Sequence, residues 1–168
     1  PKAGEYAMDE TGLDEVQFLM SANVGEDLKP IQKIASGGEL ARIMLALKNV
    51  LAENDHVGSL IFDEVDTGVS GRAAQKVAEK LYEVARNRQV LCVTHLPQIA
   101  AMGDVHFSVE KGEAQGRTFT AVEQLDRDHR RRELARLTSG AHITATALDG
   151  AEEMLSAAEQ WKKGSVQL

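Results

Sequence analysis

The central part of the chain alternates between two hydrophobic patterns. Residues 59–62 and 89–94 are short, mostly apolar runs, typical of strands in a sheet that is covered on both faces. Apolar side chains at three- and four-residue steps predict helices with one buried face, at Leu40, Ile43, Met44, Leu47, Val50 and Leu51 and at Val77, Leu81 and Val84. Strands that alternate with helices predict an α/β fold with a layered, largely parallel sheet flanked by helices.

Capping and turn residues set the boundaries of the two central helices. Ser36, with Glu39 three positions later, has the capping-box pattern that opens a helix, which we expect to end near residues 53–54. Residues 66–71 predict a turn-rich loop, and Ser70 is placed to cap the helix that follows.

The two ends of the chain predict smaller elements. Residues 1–14 are expected to be flexible, residues 16–22 to form a strand, and residues 23–33 to form a polar connection. After the central strands we predict, in chain order, a short helix from Leu96–Pro97, a hairpin of strands 105–109 and 117–122 joined by 111–116, and a helical tail over 126–161 interrupted at Ser139–Gly140.

Composition narrows the function classes. The 168 residues suit one domain, and a net charge of −7 gives no overall attraction to a nucleic-acid backbone. The arginines of residues 127–136 alternate with acids, which favours a solvated helix face over a phosphate-binding patch. Cys92 lies in an apolar run and is expected to be a buried, unreactive thiol. We expect a cytoplasmic protein, since the chain shows neither an apolar membrane span nor a signal peptide.

Two segments carry candidate chemistry. Residues 36–39 (SGGE) place a hydroxyl and two glycines at a helix start, where unpaired N–H groups attract phosphate; the plain alternative is a capped helix after a tight turn. Asp63 and Glu64 end an apolar strand, the edge where α/β folds bind ligands. Asp63 suits Mg²⁺ and Glu64 suits the activation of water, whereas the alternative is a solvated acidic turn.

His95 follows the next strand at the same predicted edge. It is placed to bind a terminal phosphate or to orient water, and the alternative is an ordinary loop histidine. The other histidines lack metal-ligand spacing, so no zinc site is expected. The three signals fall in order on consecutive strand–helix units, which favours one shared nucleotide site.

At these residues the chain resembles the ATP-binding-cassette (ABC) family of P-loop ATPases. Residues 36–40 resemble its signature motif, residues 60–64 its Walker B strand, residues 66–68 its D-loop, and His95 its switch histidine. The segments that resemble the bacterial DNA-repair members, which are relatives of the SMC (structural maintenance of chromosomes) proteins, are 62–81, 93–104 and 143–148.

The resemblance implies roles for these residues. Two heads enclose ATP and Mg²⁺ between them; Asp63 supports the metal, directly or through water, Glu64 is the catalytic base, and His95 senses the γ-phosphate. Asp66 is expected near the seam between the two heads. The residues expected to reach the ATP of the second head are Ser36, Gly37, Gly38 and Glu39. Glu39 departs from the Gln common in transporter signatures and adds negative charge near phosphate.

One part of the family's site is missing from the sequence. No GxxxxGK[ST] loop occurs, so nothing in this chain holds the β- and γ-phosphates tightly. The resemblance implies that an N-terminal half supplies this Walker A loop across a long coiled coil. Residues 1–168 are therefore predicted to be the C-terminal lobe of an ATPase head, without the Walker A lobe and coiled coil, and inactive alone.

The same resemblance implies a role in DNA double-strand-break repair and recombination. It further implies a homodimer of heads, DNA contact through the full-length protein, and association with the nucleoid after DNA damage. Two alternatives stay open. One is a non-catalytic dimerisation or docking module without its own ATPase activity, and the other is a helicase core, which the helix that begins at residues 36–38 fits poorly.

Overall fold

The structure is a computed structural model that describes residues 10, 12–14, 16–21, 24–51, 56–114 and 117–165. The chain divides into two compact units, Pro1–Ser36 and Gly37–Leu168, which are described separately. No described helix is both long enough and apolar enough to cross a membrane.

The first unit holds a short antiparallel pair. Strand β1 (Leu19–Met20) pairs with β2 (Lys29–Pro30), and helix α1 (Ile31–Ile34) follows directly. The predicted strand over 16–22 is therefore wrong in length, because among the described residues the strand pairing is limited to Leu19–Met20, beside which the Phe18 carbonyl accepts one hydrogen bond from the Ile31 N–H at 3.1 Å. The predicted polar connection over 23–33 is also wrong, since it contains β2 and most of α1. Residues 1–9 of the predicted flexible segment and Ala22 lie outside the described residues.

The second unit confirms the predicted α/β order. Its elements are α2 (Gly37–Val50), β3 (Ser59–Phe62), α3 (Gly71–Ala85), β4 (Gln89–Cys92), α4 (Pro97–Met102), β5 (Phe107–Ala114), β6 (Arg117–Gln124), α5 (Arg127–Ser139) and α6 (Ala145–Ser165). The predicted end of the first central helix, at residues 53–54, lies outside the described residues.

Strands β3 and β4 form the parallel pair that positions the site. Ser59 lies opposite Gln89 and Phe62 opposite Cys92, and the Val93 N–H donates to the Phe62 carbonyl at 3.0 Å. The right-handed crossover rule makes α3 the natural connection for such a pair. Because the strands are parallel and in register, the residues that follow each of them leave the sheet at one edge.

Most of the core lies on one side of this pair. Val77, Leu81 and Val84 of α3 are buried, which confirms the predicted stripe. The packed face of the sheet, which we define as Leu60, Phe62, Val90 and Cys92, lies against the same cluster. Helices α4, α5 and α6 complete the cluster with Ile99, Met102, Leu134, Ala135, Ala151, Leu155 and Ala158.

The other side of the pair is uncovered by the described residues. This open face, defined as Ile61, Leu91 and Val93, is 75%, 47% and 63% exposed. Only one of the two covers predicted from the sequence is therefore supplied by the described residues. The prediction that the apolar stripe of α2 is buried is also wrong at Met44 and Val50, which are exposed. Its buried residues are Gly38 and Leu45, which face the rest of the unit.

The hairpin and the helical tail follow the predicted order. Strands β5 and β6 pair over eight residues each, so most of the predicted connection at 111–116 is strand. Gln115 and Gly116 lie outside the described residues. In the tail, Gly140 has a φ of 74° and ends α5, which confirms the predicted stop. The ring of Trp161 on α6 meets Tyr82 of α3 edge-on, with ring centroids 5.8 Å apart.

Candidate functional site

Asp63 and Glu64 lie directly after β3, exposed at the carboxyl edge of the parallel pair. The Glu64 N–H donates to Asp63 Oδ1 at 2.9 Å, and the Thr67 N–H donates to the Glu64 carbonyl at 3.0 Å, which closes a turn. Glu64 has a φ of 58°, the left-handed region that costs a residue with a Cβ about 1–2 kcal/mol. The turn therefore holds Glu64 in a strained conformation, a feature that clusters at functional sites.

Gly37 and Gly38 allow the start of α2 to approach this turn closely. A Cβ at Gly37 would lie 2.7 Å from Glu64 Oε2, and a Cβ at Gly38 would lie 2.8 Å from the Thr67 carbonyl oxygen. A side chain at Gly38 would require the turn to move, because its close contact is with backbone, whereas a side chain at Gly37 would require only the exposed Glu64 carboxylate to rotate away. Gly38 thus has a packing role, which the sequence alone did not reveal beside its predicted phosphate role.

Arg42, one turn further along α2, ties the helix to the same loop. Its Nη1 donates to the Thr67 carbonyl at 2.7 Å and to the Val65 carbonyl at 3.2 Å. Sequence analysis missed this residue. Its spacing of four from Gly38 places it on the helix side that faces the turn, and that spacing was the only available signal.

Asp66 lies inside this loop and is only 3% exposed. Its Oδ2 accepts hydrogen bonds from Thr94 Oγ1 at 2.6 Å and from the His95 N–H at 2.9 Å, and it lies 3.0 Å from His95 Nδ1. Burial raises the pKa of Asp66, but the hydrogen bonds from Thr94 and His95 outweigh it and hold the pKa below its ordinary value. Asp66 is therefore an ionised, internally bonded carboxylate at neutral pH.

The contacts of Asp66 organise the segment that follows β4. Thr94 Oγ1 also accepts from the Leu96 N–H at 3.1 Å, at the first residue before α4. His95 keeps 72% of its side chain exposed while Nδ1 faces Asp66. The structure thus connects the predicted switch histidine to the loop that begins with Asp63 and Glu64.

Ser36 and Glu39 are placed at the surface. Ser36 is the last residue of the first unit, and Glu39 lies exposed in the first turn of α2. A carboxylate in a first turn stabilises a helix by about 0.3–1 kcal/mol through the helix dipole. No observation tests the nucleotide roles predicted for the eight site residues, and those roles remain predictions. The eight are Ser36, Gly37, Gly38, Glu39, Asp63, Glu64, Asp66 and His95.

A groove of about 380 Å³ lies between α2 and β3. Gly37 and Asp63 lie at its lining together with Lys48, and the other walls are the apolar Leu40, Ala41, Met44, Leu60, Ile61 and Phe62. Such walls do not suit a triphosphate, which requires N–H donors and cations. They suit an apolar polypeptide surface.

The residues fit only part of a nucleotide–metal site. The described residues contain no group of three or more metal-ligating side chains. Asp63 uses Oδ1 to accept the Glu64 N–H, which leaves Oδ2 for one bond to a cation or to its water. That suits Mg²⁺, which takes one or two protein carboxylates and completes its octahedron with phosphates and waters.

Two further predictions concern residues around the site. Cys92 is half-buried and not fully buried as predicted, and its partial burial, with the charges of Asp66 and Asp63, raises the pKa of the thiol to about 12, which agrees with the predicted lack of reactivity. The basic run of α5 is engaged internally: Arg127 pairs with Glu152 and Glu159, and Arg136 with Glu133. That supports the interpretation as a helix face.

Comparison with known proteins identifies close relatives. No protein-family model matches the chain. The DNA repair protein RecN of Bacillus subtilis (strain 168) is 48% identical over 155 residues, 92% of this chain and 27% of the relative. RecN of Halalkalibacterium halodurans is 46% identical over 95% of this chain and 28% of its own length, and RecN of Deinococcus radiodurans 48% over 86% and 25%.

The chain therefore spans about a quarter of the length of the curated relatives it matches. Among solved structures, a chain from work on ATP-driven dimerization and DNA stimulated activation of SMC ATPases is 21% identical to it. That alignment covers 70% of each chain with a TM-score of 0.47.

Proposed function

From the similarity of this chain to RecN DNA repair proteins over about nine-tenths of its length, we propose that it is the C-terminal lobe of an ATPase head that works in DNA double-strand-break repair. The observation that carries the ATPase proposal is one arrangement at the sheet edge. Asp63 and Glu64 follow β3, the glycine start of α2 lies against them, and His95 is bonded to the same loop.

The proposed roles follow from chemistry and exposure. Asp63 supports Mg²⁺ with its remaining oxygen, and Glu64, exposed beside it, orients and deprotonates the attacking water. The exposed His95 ring contacts the γ-phosphate side of the nucleotide. Ser36, Gly37, Gly38 and Glu39 face the ATP of a second head, and Asp66 lies beside the seam.

The apolar surfaces support a second proposal, that another segment of the same protein completes the head. The open face and the groove beside α2 expose apolar side chains that a finished core covers. The relatives are about three and a half times as long as this chain, so they contain ample additional polypeptide. The occupant we propose is the N-terminal segment that carries the Walker A loop.

Reconstitution of the head tests the proposal. The chain alone is expected to bind ATP poorly and to hydrolyse it negligibly, because it lacks the amides and lysine of a phosphate loop. Addition of the N-terminal segment should restore turnover, and Glu64→Gln should remove it by orders of magnitude. Glu123→Gln on the exposed strand β6 is the matched control and should leave turnover unchanged. Robust hydrolysis by the chain alone would contradict the assignment.

A non-catalytic docking module is the second candidate. The exposed apolar faces favour it, since they suit association without any nucleotide. Titration of the chain with the N-terminal segment and ATP, while the mass of the complex is followed, separates the two functions. ATP-independent association with no turnover favours docking alone.

DNA contact is proposed for the full-length protein only. The chain carries −7, and the arginines of α5 that pair with Glu152, Glu159 and Glu133 are not free for phosphate. Replacement of Arg127 and Arg136 by Gln is therefore expected to leave the salt dependence of DNA binding unchanged. A flatter slope would place α5 at the DNA.

A further inference from the structure

Two hydrogen-bond donors converge on one oxygen of Asp66, and a third nitrogen lies close to it. Thr94 Oγ1 and the His95 N–H donate to Oδ2 at 2.6 and 2.9 Å, and His95 Nδ1 lies 3.0 Å from the same oxygen without the alignment of a hydrogen bond. A bare lone pair on Nδ1 would be repelled by an ionised carboxylate oxygen at that distance, so a proton on Nδ1 is the favoured form of the neutral His95 ring. We propose that Asp66 is a positioning residue that fixes His95 as the Nδ1–H tautomer and turns Nε2 outward toward the nucleotide.

The orientation of His95 follows from the rigidity of its support. Asp66 is 3% exposed, so water competes little for its oxygens. Its backbone lies in the turn that Arg42 holds through the Val65 and Thr67 carbonyls on either side. The His95 N–H donates to the same carboxylate oxygen that the ring faces. The backbone and the ring of the histidine thus both face one buried group, whereas the ring edge that carries Nε2 has no partner among the described residues.

The tautomer decides what Nε2 can do. In the neutral ring Nε2 carries a lone pair and accepts a hydrogen bond, for example from water. It donates to a phosphate oxygen only after the ring takes up a second proton. Asp66 therefore makes Nε2 of the neutral His95 ring a hydrogen-bond acceptor. This part of the inference rests on the proposed function, because it assumes that Nε2 faces a nucleotide.

The chain contains a matched pair for comparison. His129 Nδ1 lies 2.8 Å from Asp126 Oδ1, a contact between ring and carboxylate that is also a hydrogen bond. There both side chains are more than half exposed, at 58% and 68%, while Asp66 is nearly closed off from water. The contact at His129 is local, between Asp126, which caps the start of α5, and a residue in the first turn of that helix. Asp126→Ala is therefore the control for Asp66→Ala.

Nitrogen-15 NMR of the histidine rings tests the tautomer in the chain itself. With ¹⁵N-histidine labelling and assignment by His95→Gln, the neutral His95 ring is expected to show a protonated Nδ1 and an unprotonated Nε2. Asp66→Ala should abolish this pattern, while Asp126→Ala should change His129 alone. Thr94→Val, which keeps the carboxylate, should leave the His95 pattern in place.

The outcomes are decisive in either direction. A neutral His95 with its proton on Nε2 in the unmodified chain overturns the inference, even if Asp66→Ala fails to fold. A pattern that survives Asp66→Ala in a folded variant overturns it as well. In the reconstituted head, Asp66→Ala should lower kcat about 10- to 100-fold, as loss of a group that orients a histidine does, with a smaller change in KM. Asp126→Ala should leave both constants unchanged.

The two hypotheses fail separately. If the reconstituted head shows no turnover, the proposed function fails while the NMR result still decides the tautomer. If the tautomer changes in Asp66→Ala but kcat does not, Asp66 does not position His95 for the reaction, and the inference is overturned.

Discussion

The two faces of the β3–β4 pair have similar sequences and opposite surroundings. Phe62 on the packed face is 6% exposed, and its neighbour Ile61 on the open face is 75% exposed. Both are large apolar residues of one strand, so hydrophobicity does not distinguish them. The difference shows that both faces of the strand have the apolar side chains of a buried surface, whereas the described residues pack against only one of them.

The largest expected effect sharpens this comparison on the packed side. Phe62→Ala removes a buried ring from the core cluster and should lower the free energy of unfolding by about 3–5 kcal/mol. Urea denaturation of the isolated chain measures it. A loss below 1 kcal/mol would mean that the packed face is not the core of this unit.

Gly38→Ala is expected to have the next largest effect. The new Cβ would meet the Thr67 carbonyl at 2.8 Å and the Glu64 carbonyl at 3.0 Å, and overpacking of this kind costs about 1–3 kcal/mol. The same denaturation assay measures it. Gly150→Ala on α6 is the control, because nothing lies within 4 Å of its Cβ position. That control should be neutral or slightly stabilising.

The pH dependence of stability tests the ionisation of Asp66, in the loop that follows β3. The folded-state pKa of Asp66 lies below its ordinary value of 3.8, so its ionised form stabilises the fold above that pH. This contribution is lost as the pH falls through the lowered folded-state pKa. Asp66→Asn should therefore lose less stability than the unmodified chain between pH 5 and pH 3, as measured by denaturation midpoints. Parallel pH curves for the two proteins would contradict the assigned ionisation.

The smallest expected effect tests the open face. Ile61→Ser creates no buried cavity, because Ile61 is already exposed to solvent. The free energy of unfolding of the isolated chain should therefore change by no more than about 0.5 kcal/mol. The same variant should weaken association with the N-terminal segment, which calorimetry measures. Val105→Ser, 54% exposed and outside the open face, is the matched control. Equal binding by both variants would assign the cover of the sheet to another surface.

Local patterns predicted the elements well. Ser59–Phe62 is a strand with the predicted limits, and Gly37 opens the helix directly after Ser36. Gly140 ends α5 where a residue with positive φ is needed. These features depend on a few neighbouring residues, which is why the sequence specifies them.

What the sequence could not show depends on distant contacts. The stripe of Leu40, Met44 and Leu47 looked like a core face, yet within this chain α2 buries Gly38 and Leu45 instead. Asp66 was expected at the start of a turn-rich loop near the seam between two heads, and only the fold brings Thr94 and His95 to it. The site residues were recognised from motif order, whereas no supporting role was predicted for Arg42 or for Thr94.

The hydrogen bonds of Arg42 connect α2 to the segment that contains His95. Arg42 donates to the turn that contains Asp66, and Asp66 accepts a hydrogen bond from the backbone N–H of His95. A movement of α2 relative to this turn would therefore have to stretch or break hydrogen bonds in the same loop that supports the backbone of His95.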